Sequence, residues 1–90
     1  MDGQILKYIR HALNLSQTEL GELVGLSQLT IFRYEHGYQT PLPSTVRRMQ
    51  KALKYSEEDL LSIAELLEVE DNYKHARLKT KLRQQANITI

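Results

Sequence analysis

Cysteine is missing from these 90 residues, which excludes disulfides and thiolate metal sites. The three histidines, His11, His36 and His75, lie far apart and show no ligand-like spacing, so no metal is expected. Apolar runs are only a few residues long, against the roughly 20 that a membrane-spanning helix requires. The opening MDGQILKYIRHALN has no secretory pattern, so the expected compartment is the cytoplasm. A glycine-rich phosphate loop is missing, and so is any set of nucleophile, base and acid. The expectation is a protein that is not an enzyme and holds no cofactor. Strand-like alternation is nearly absent, and no repeat or low-complexity tract is visible.

A large charge of either sign is also lacking: the net charge is +1. Its distribution is uneven. Residues 1–54 carry seven bases against four acids, residues 55–71 seven acids and no base, and residues 72–90 five bases and no acid. Blocks of opposite sign give a molecule faces with different partners, because local field matters more than the total.

What the chain does have is helical periodicity. Ile5, Leu6, Ile9 and Leu13 predict a first helix from Gly3 to Leu13. Ser16 with Glu19 three residues on is a capping box opening a second helix, with Leu20, Leu23 and Val24 as its apolar stripe and Gly25 as its end. Ser27 caps a third helix that runs to about His36 and stops at Gly37. Tyr38 to Pro43, with two prolines, reads as loop. Ser44 or Thr45 then starts a fourth helix with Val46, Met49 and Leu53 inward. Ser56-Glu57-Glu58-Asp59 opens a fifth, carried to Leu67 by Leu60, Leu61, Ile63 and Ala64. No proline or glycine interrupts Tyr55 to Ile90, so either the fifth helix continues or a sixth follows a break near Glu70. The alternation from Ala86 to Ile90 suits a strand or a frayed tail. The expected fold class is all-α: a compact domain of four to five helices over residues 1–67, with a helical C-terminal extension over 68–90.

The third helix has two contrasting faces. At about 100° per residue, Ser27, Ile31, Tyr34 and Glu35 share one side. Leu29, Phe32, Arg33 and His36 share the other, with Gln28 at its edge and Thr30 on the far flank. If Ile31 and Tyr34 pack on Leu20 and Val24, then Leu29 and Phe32 stand exposed beside Gln28 and Arg33. Exposed apolar bulk of this kind needs a partner. The thymine methyl group is one such partner, while Gln matches adenine and Arg matches the guanine edge. The plainer reading is a solvated helix face for Gln28 and Arg33 and a protein-contact patch for Leu29 and Phe32.

The stretch LSQTELGELVGLSQLTIFRYEHG resembles the helix-turn-helix of the lambdoid phage repressors, the Cro proteins and the wider Xre-type regulators. That pattern has a short helix beginning Ser-Gln-x-x-Leu-Ala, a Gly, a Ser-capped recognition helix, Glu-x-Gly, and a loop with Pro. It is met by Ser16, Gln17, Glu19, Leu20, Gly21, Gly25, Ser27, Ile31, Glu35, Gly37 and Pro41. Gly21 stands where a small Ala or Gly lets the helices cross closely. The resemblance covers about residues 3–67 and implies a repressor-like DNA-binding domain from a bacterium or phage.

By that resemblance, Gln28, Leu29, Phe32 and Arg33 reach bases of double-stranded DNA. Gln17, Thr30, His36, Gln39 and Thr40 touch the backbone, and contacts of that kind position the domain. Phe32 departs from the small polar residue common there; it either wedges against a methyl group or folds back onto the domain. The resemblance also implies a structural ion pair between Arg10 and Glu35. Arg47, close to the loop and the helix start, is a further phosphate candidate.

One recognition helix reads only a few base pairs, so a homodimer is expected. The candidate interface is the stripe Leu66, Val69, Tyr73 and Ala76, continued by Leu78 and Leu82. The basic run Lys74, Arg77, Lys79, Lys81 and Arg83 is a solvated face, a second DNA contact, or the partner of the acidic block 57–71, within the chain or across a dimer. The alternative to a regulator is an antitoxin or anti-repressor whose extension docks another protein.

Overall fold

The computed structural model describes residues 1–87 and is all-helical, with no strand among them. Six helices follow in order: α1 (Gly3–Ala12), α2 (Gln17–Val24), α3 (Gln28–Glu35), α4 (Pro43–Leu53), α5 (Glu57–Leu66) and α6 (Asn72–Ala86). None of them is long and apolar enough to cross a membrane.

Most starts are fixed by side-chain caps. Asp2 accepts from the Gln4 amide at 2.7 Å and opens α1. Ser16 with Glu19 and Ser56 with Asp59 form full capping boxes at α2 and α5. Ser27 caps α3 and Asp71 caps α6. Each such cap satisfies helix amides that have no partner within the helix. The start of α4 differs from the sequence expectation. Neither Ser44 nor Thr45 caps it; Pro43 occupies the first turn, after Leu42, with no side-chain cap. Proline costs nothing there, since that position has no intrahelical use for an N–H.

Helix α1 is the hub, with α3 against it at one contact and α5 and α6 at others. Its Leu6, Ile9 and Ala12 are almost fully buried, together with Leu20, Ile31, Met49, Leu53 and Ile63 from the next four helices. The fifth helix does not continue into the tail. It ends at Leu66, and α6 begins after a turn.

Helix α6 packs back on the domain through Leu78, Leu82 and Ala86, all buried. Leu78 and Leu82 therefore do not extend the candidate dimer stripe. They lie four residues apart on the inward face of α6. Polar contacts reinforce this packing. The Tyr8 hydroxyl meets His75 Nδ1 at 2.9 Å, and the other ring nitrogen, Nε2, lies 2.7 Å from the Val69 carbonyl. Arg83 Nε donates to the Ala12 carbonyl at 3.0 Å, placing a cation at the C-terminal end of α1, where the helix dipole favours it. The strand-like reading of 86–90 meets Ala86 inside α6 and Asn87 as its C-cap; residues 88–90 lie outside the described residues.

Candidate nucleic-acid interface

The α2–α3 unit is built from short-range rules. Gly25 closes α2 at φ +74°, a left-handed conformation that glycine takes at low cost. The Leu26 amide then donates to the Gly21 carbonyl at 2.8 Å, and Ser27 begins the next helix by accepting from the Thr30 amide at 3.1 Å. A Cβ on Gly21 would run into the Leu26 carbonyl oxygen. The crossing is thus tighter than the sequence suggested, and alanine is crowded where glycine fits.

Ile31 and Tyr34 are buried, with Leu20 and Val24 buried beside them in the same core. Gln28 and Arg33 are consequently exposed, and Leu29 is 50% exposed. Phe32 is half-buried. Its ring stacks on His36, with centroids 4.1 Å apart, and lies 6.3 Å from the ring of Tyr38. It rests along its own helix end instead of projecting freely. The His36 ring is fixed in turn by a 3.0 Å contact from Nδ1 to the Phe32 carbonyl. Thr30 is half-buried against Ser27 (2.8 Å between hydroxyls), while Gln39, Thr40 and Arg47 are exposed.

Behind the exposed face runs a polar relay. Arg10 grips Glu35 with two parallel bonds, Nε to Oε2 at 2.7 Å and Nη2 to Oε1 at 3.0 Å, and its Nη1 donates to the Leu15 carbonyl at 2.9 Å. The Glu35 side chain is 1% exposed. Gln17 Nε2 donates to Glu35 at 3.2 Å, and Gln17 Oε1 accepts from Gln28 Nε2 at 2.7 Å. Burial pushes the Glu35 carboxyl up, but hydrogen bonds from Arg10 and Gln17, with the Arg10 charge, outweigh it and hold it below the usual carboxylate range. The chain Arg10–Glu35–Gln17–Gln28 ties α1, α2 and α3 together and ends on an exposed side chain. Sequence reasoning anticipated the ion pair but not the link from Gln17 to Gln28. The spacing of 11 residues across the turn was the available signal.

The candidate dimer stripe is divided. Leu66 is half-buried against the core, while Val69, Tyr73 and Ala76 are exposed. The buried Asp59 escaped the sequence reading as anything beyond a cap. Besides closing the α5 capping box, it accepts from Gln85 at 2.8 Å and Lys81 at 3.2 Å. Among the described residues no group of His, Cys, Asp and Glu is placed to hold a metal ion.

A short helix, a glycine turn and a second helix with its outward face open define a helix-turn-helix unit. The helix-turn-helix family profile matches residues 6–60, and the chain belongs to that family, of the Xre/Cro type. It is also similar to RghRB of Bacillus subtilis (strain 168), described as an uncharacterized HTH-type transcriptional regulator, at 35% identity over 63 residues. That alignment takes in 69% of this chain but 45% of the relative, so the chain spans less than half of that protein's length. No solved structure matches.

Proposed function

We propose that this protein is a sequence-specific DNA-binding regulator, acting as a repressor, that reads the major groove with α3 as a homodimer. The observation that supports this best is the orientation of α3. Ile31 and Tyr34 are turned into the core, which leaves Gln28, Leu29 and Arg33 exposed on the opposite side of the helix. In this reading Arg33 pairs with a guanine edge, Gln28 with adenine, and Leu29 and the side of Phe32 with thymine methyls. Gln17, Thr30, His36, Gln39, Thr40 and Arg47 meet phosphates and set the docking angle. Gln17 has a second task, holding the Gln28 amide through their 2.7 Å bond. Residues 1–67 form the reading unit, and the contact between subunits runs from Leu66 at the end of that unit through Val69, Tyr73 and Ala76 in the C-terminal extension. Bound at a promoter in the cytoplasm, such a dimer excludes polymerase.

Enrichment of bound sites from a pool of random duplexes tests the reading. The expected consensus is twofold symmetric, with half-site centres about 34 Å apart, and affinity falls steeply as salt rises because phosphate contacts release counterions. A pool that fails to enrich, or binding indifferent to salt, counts against it.

A further inference from the structure

Helices α1 and α6 contain no acidic residue, and they lie side by side. Two contacts set their register. Lys79 Nζ sits over the Tyr8 ring, 5.2 Å from its centroid, and Arg83 Nε donates to the Ala12 carbonyl at 3.0 Å. On α1, Lys7 and His11 stand exposed beside Tyr8 and Ala12. Each pair, Lys7 with His11 and Lys79 with Arg83, is one turn apart, about 6 Å along its axis. Among the described residues the ion pairs are Arg10 with Glu35 and Lys81 with Asp59, so no carboxylate answers Lys7, Lys79 or Arg83. The crowding registers at His11. Burial first, then the charges of Arg10, Lys7 and Lys79, hold its ring below the usual histidine value against the opposing pull of Glu35. The seam itself is held by Leu78, Leu82 and the Tyr8–His75 bond, contacts separate from those of Asp59.

We propose that Lys7, His11, Lys79 and Arg83 form a second DNA contact, one that holds the phosphate backbone running off the edge of α3. The strip adjoins that helix. Gly3 and Arg10 are the flank of α1 that abuts α3, since a Cβ on Gly3 would strike the Tyr34 and Glu35 carbonyls and Arg10 grips Glu35. Tyr8 and Ala12 are the flank that meets α6. At about 100° per residue, Lys7 and His11 fall between the two flanks, on the solvent side. Going round α3 from Glu35, the next side chains are Gln28, Phe32 and His36. The surface is therefore continuous from the edge of α3 across α1 to α6. Phosphates are the occupant that this strip fits. Neither helix exposes a large apolar side chain on it, and a protein partner would need an apolar centre there. Unpaired cations in a row instead suit a polyanion, whose counterions they release. Such a contact adds affinity at every sequence and carries no base information. The proposal rests on the reading that the chain binds duplex DNA, and not on which bases α3 touches.

Equilibrium binding of the full chain to two duplexes, its selected site and an unrelated sequence, tests this across a range of salt. With Lys7→Gln and Lys79→Gln combined, both affinities should fall by a similar factor, at least about tenfold at moderate salt. The slope of log K against log salt should become shallower by about 2 per subunit. Lys7→Arg with Lys79→Arg should keep the parent's affinity and slope, because the charge remains. Circular dichroism with a thermal melt checks each fold, and a loss that came only from Lys79 packing on Tyr8 would leave the slope unchanged. An unchanged slope, or affinity lost at the selected site alone, overturns the proposal. So does a Gln variant that loses hold of poly-glutamate but not of either duplex, which assigns the strip to an acidic protein. If no site enriches but unrelated DNA is held through the two lysines, base reading by α3 fails and this contact stands. An enriched site that ignores both substitutions does the reverse.

Discussion

Glu35 and Asp59 are both buried carboxylates, and they serve different halves of the molecule. Glu35 joins α1, α2 and α3, and its relay continues through Gln17 to the exposed amide of Gln28. Asp59 joins the start of α5 to α6, and its partners are the Ser56 cap, Gln85 and the half-exposed Lys81. The first network couples the fold to the outward face of α3. The second anchors a helix and sends no side chain to that face. Loss of Glu35 should therefore register in stability and in DNA binding together, whereas loss of Asp59 should register in stability alone.

The largest effect is expected for Glu35→Ala. It leaves the Arg10 guanidinium, 11% exposed, without its partner, and breaking a buried pair from one side costs about 3–5 kcal/mol. Urea unfolding measures this, and the same variant should bind DNA less well even where it is folded. Asp59→Ala should cost less, about 2 kcal/mol, since a cap and two hydrogen bonds are lost but Lys81 can turn to water. Its DNA affinity should match the parent. A variant at Asp59 that loses DNA binding while folded would break the contrast.

Acid sharpens the comparison. Burial raises both carboxyls, but hydrogen bonds at Glu35 from Arg10 and Gln17, and at Asp59 from Ser56, Gln85 and Lys81, leave both below the usual range. Their contribution is therefore complete above the unfolded carboxylate value of about 4 and is lost as pH falls through the lower folded values. Thermal unfolding should be level from neutral pH to about 5 and decline below about 4, less steeply in Asp59→Asn. A melting temperature that holds constant down to pH 2.5 contradicts this. The smallest effect belongs to Tyr55, whose buried hydroxyl has no hydrogen-bond partner among the described residues. Tyr55→Phe should be neutral or stabilise by up to about 1 kcal/mol, because nothing is left unpaired.

The first half of the fold was legible because its signals are local. Ser16 with Glu19, Gly25, Ser27 and the 3.6-residue spacing of Leu20, Val24, Ile31 and Tyr34 each act within a few residues. The second half was less legible because its organising contacts are distant. Tyr8 meets His75 across 67 residues, and Asp59 meets Gln85 across 26. The spacing of Leu66, Val69, Tyr73 and Ala76 looked like one helical stripe, but the turn between α5 and α6 resets the phase, so Leu78 and Leu82 face inward. Apolar groups on two sides of a helix do not reveal which side packs. Phe32 stacked on His36 is likewise a contact that no spacing rule specifies.

The most direct measurement of the central claim is site selection from random duplexes with the parent and with Arg33→Ala side by side. The expected result is an enriched site in which one base position per half-site loses its preference in the variant, with about 1–3 kcal/mol of affinity lost at the parent's site. An unchanged preference at every position would contradict the placement of the outward face of α3 in the groove.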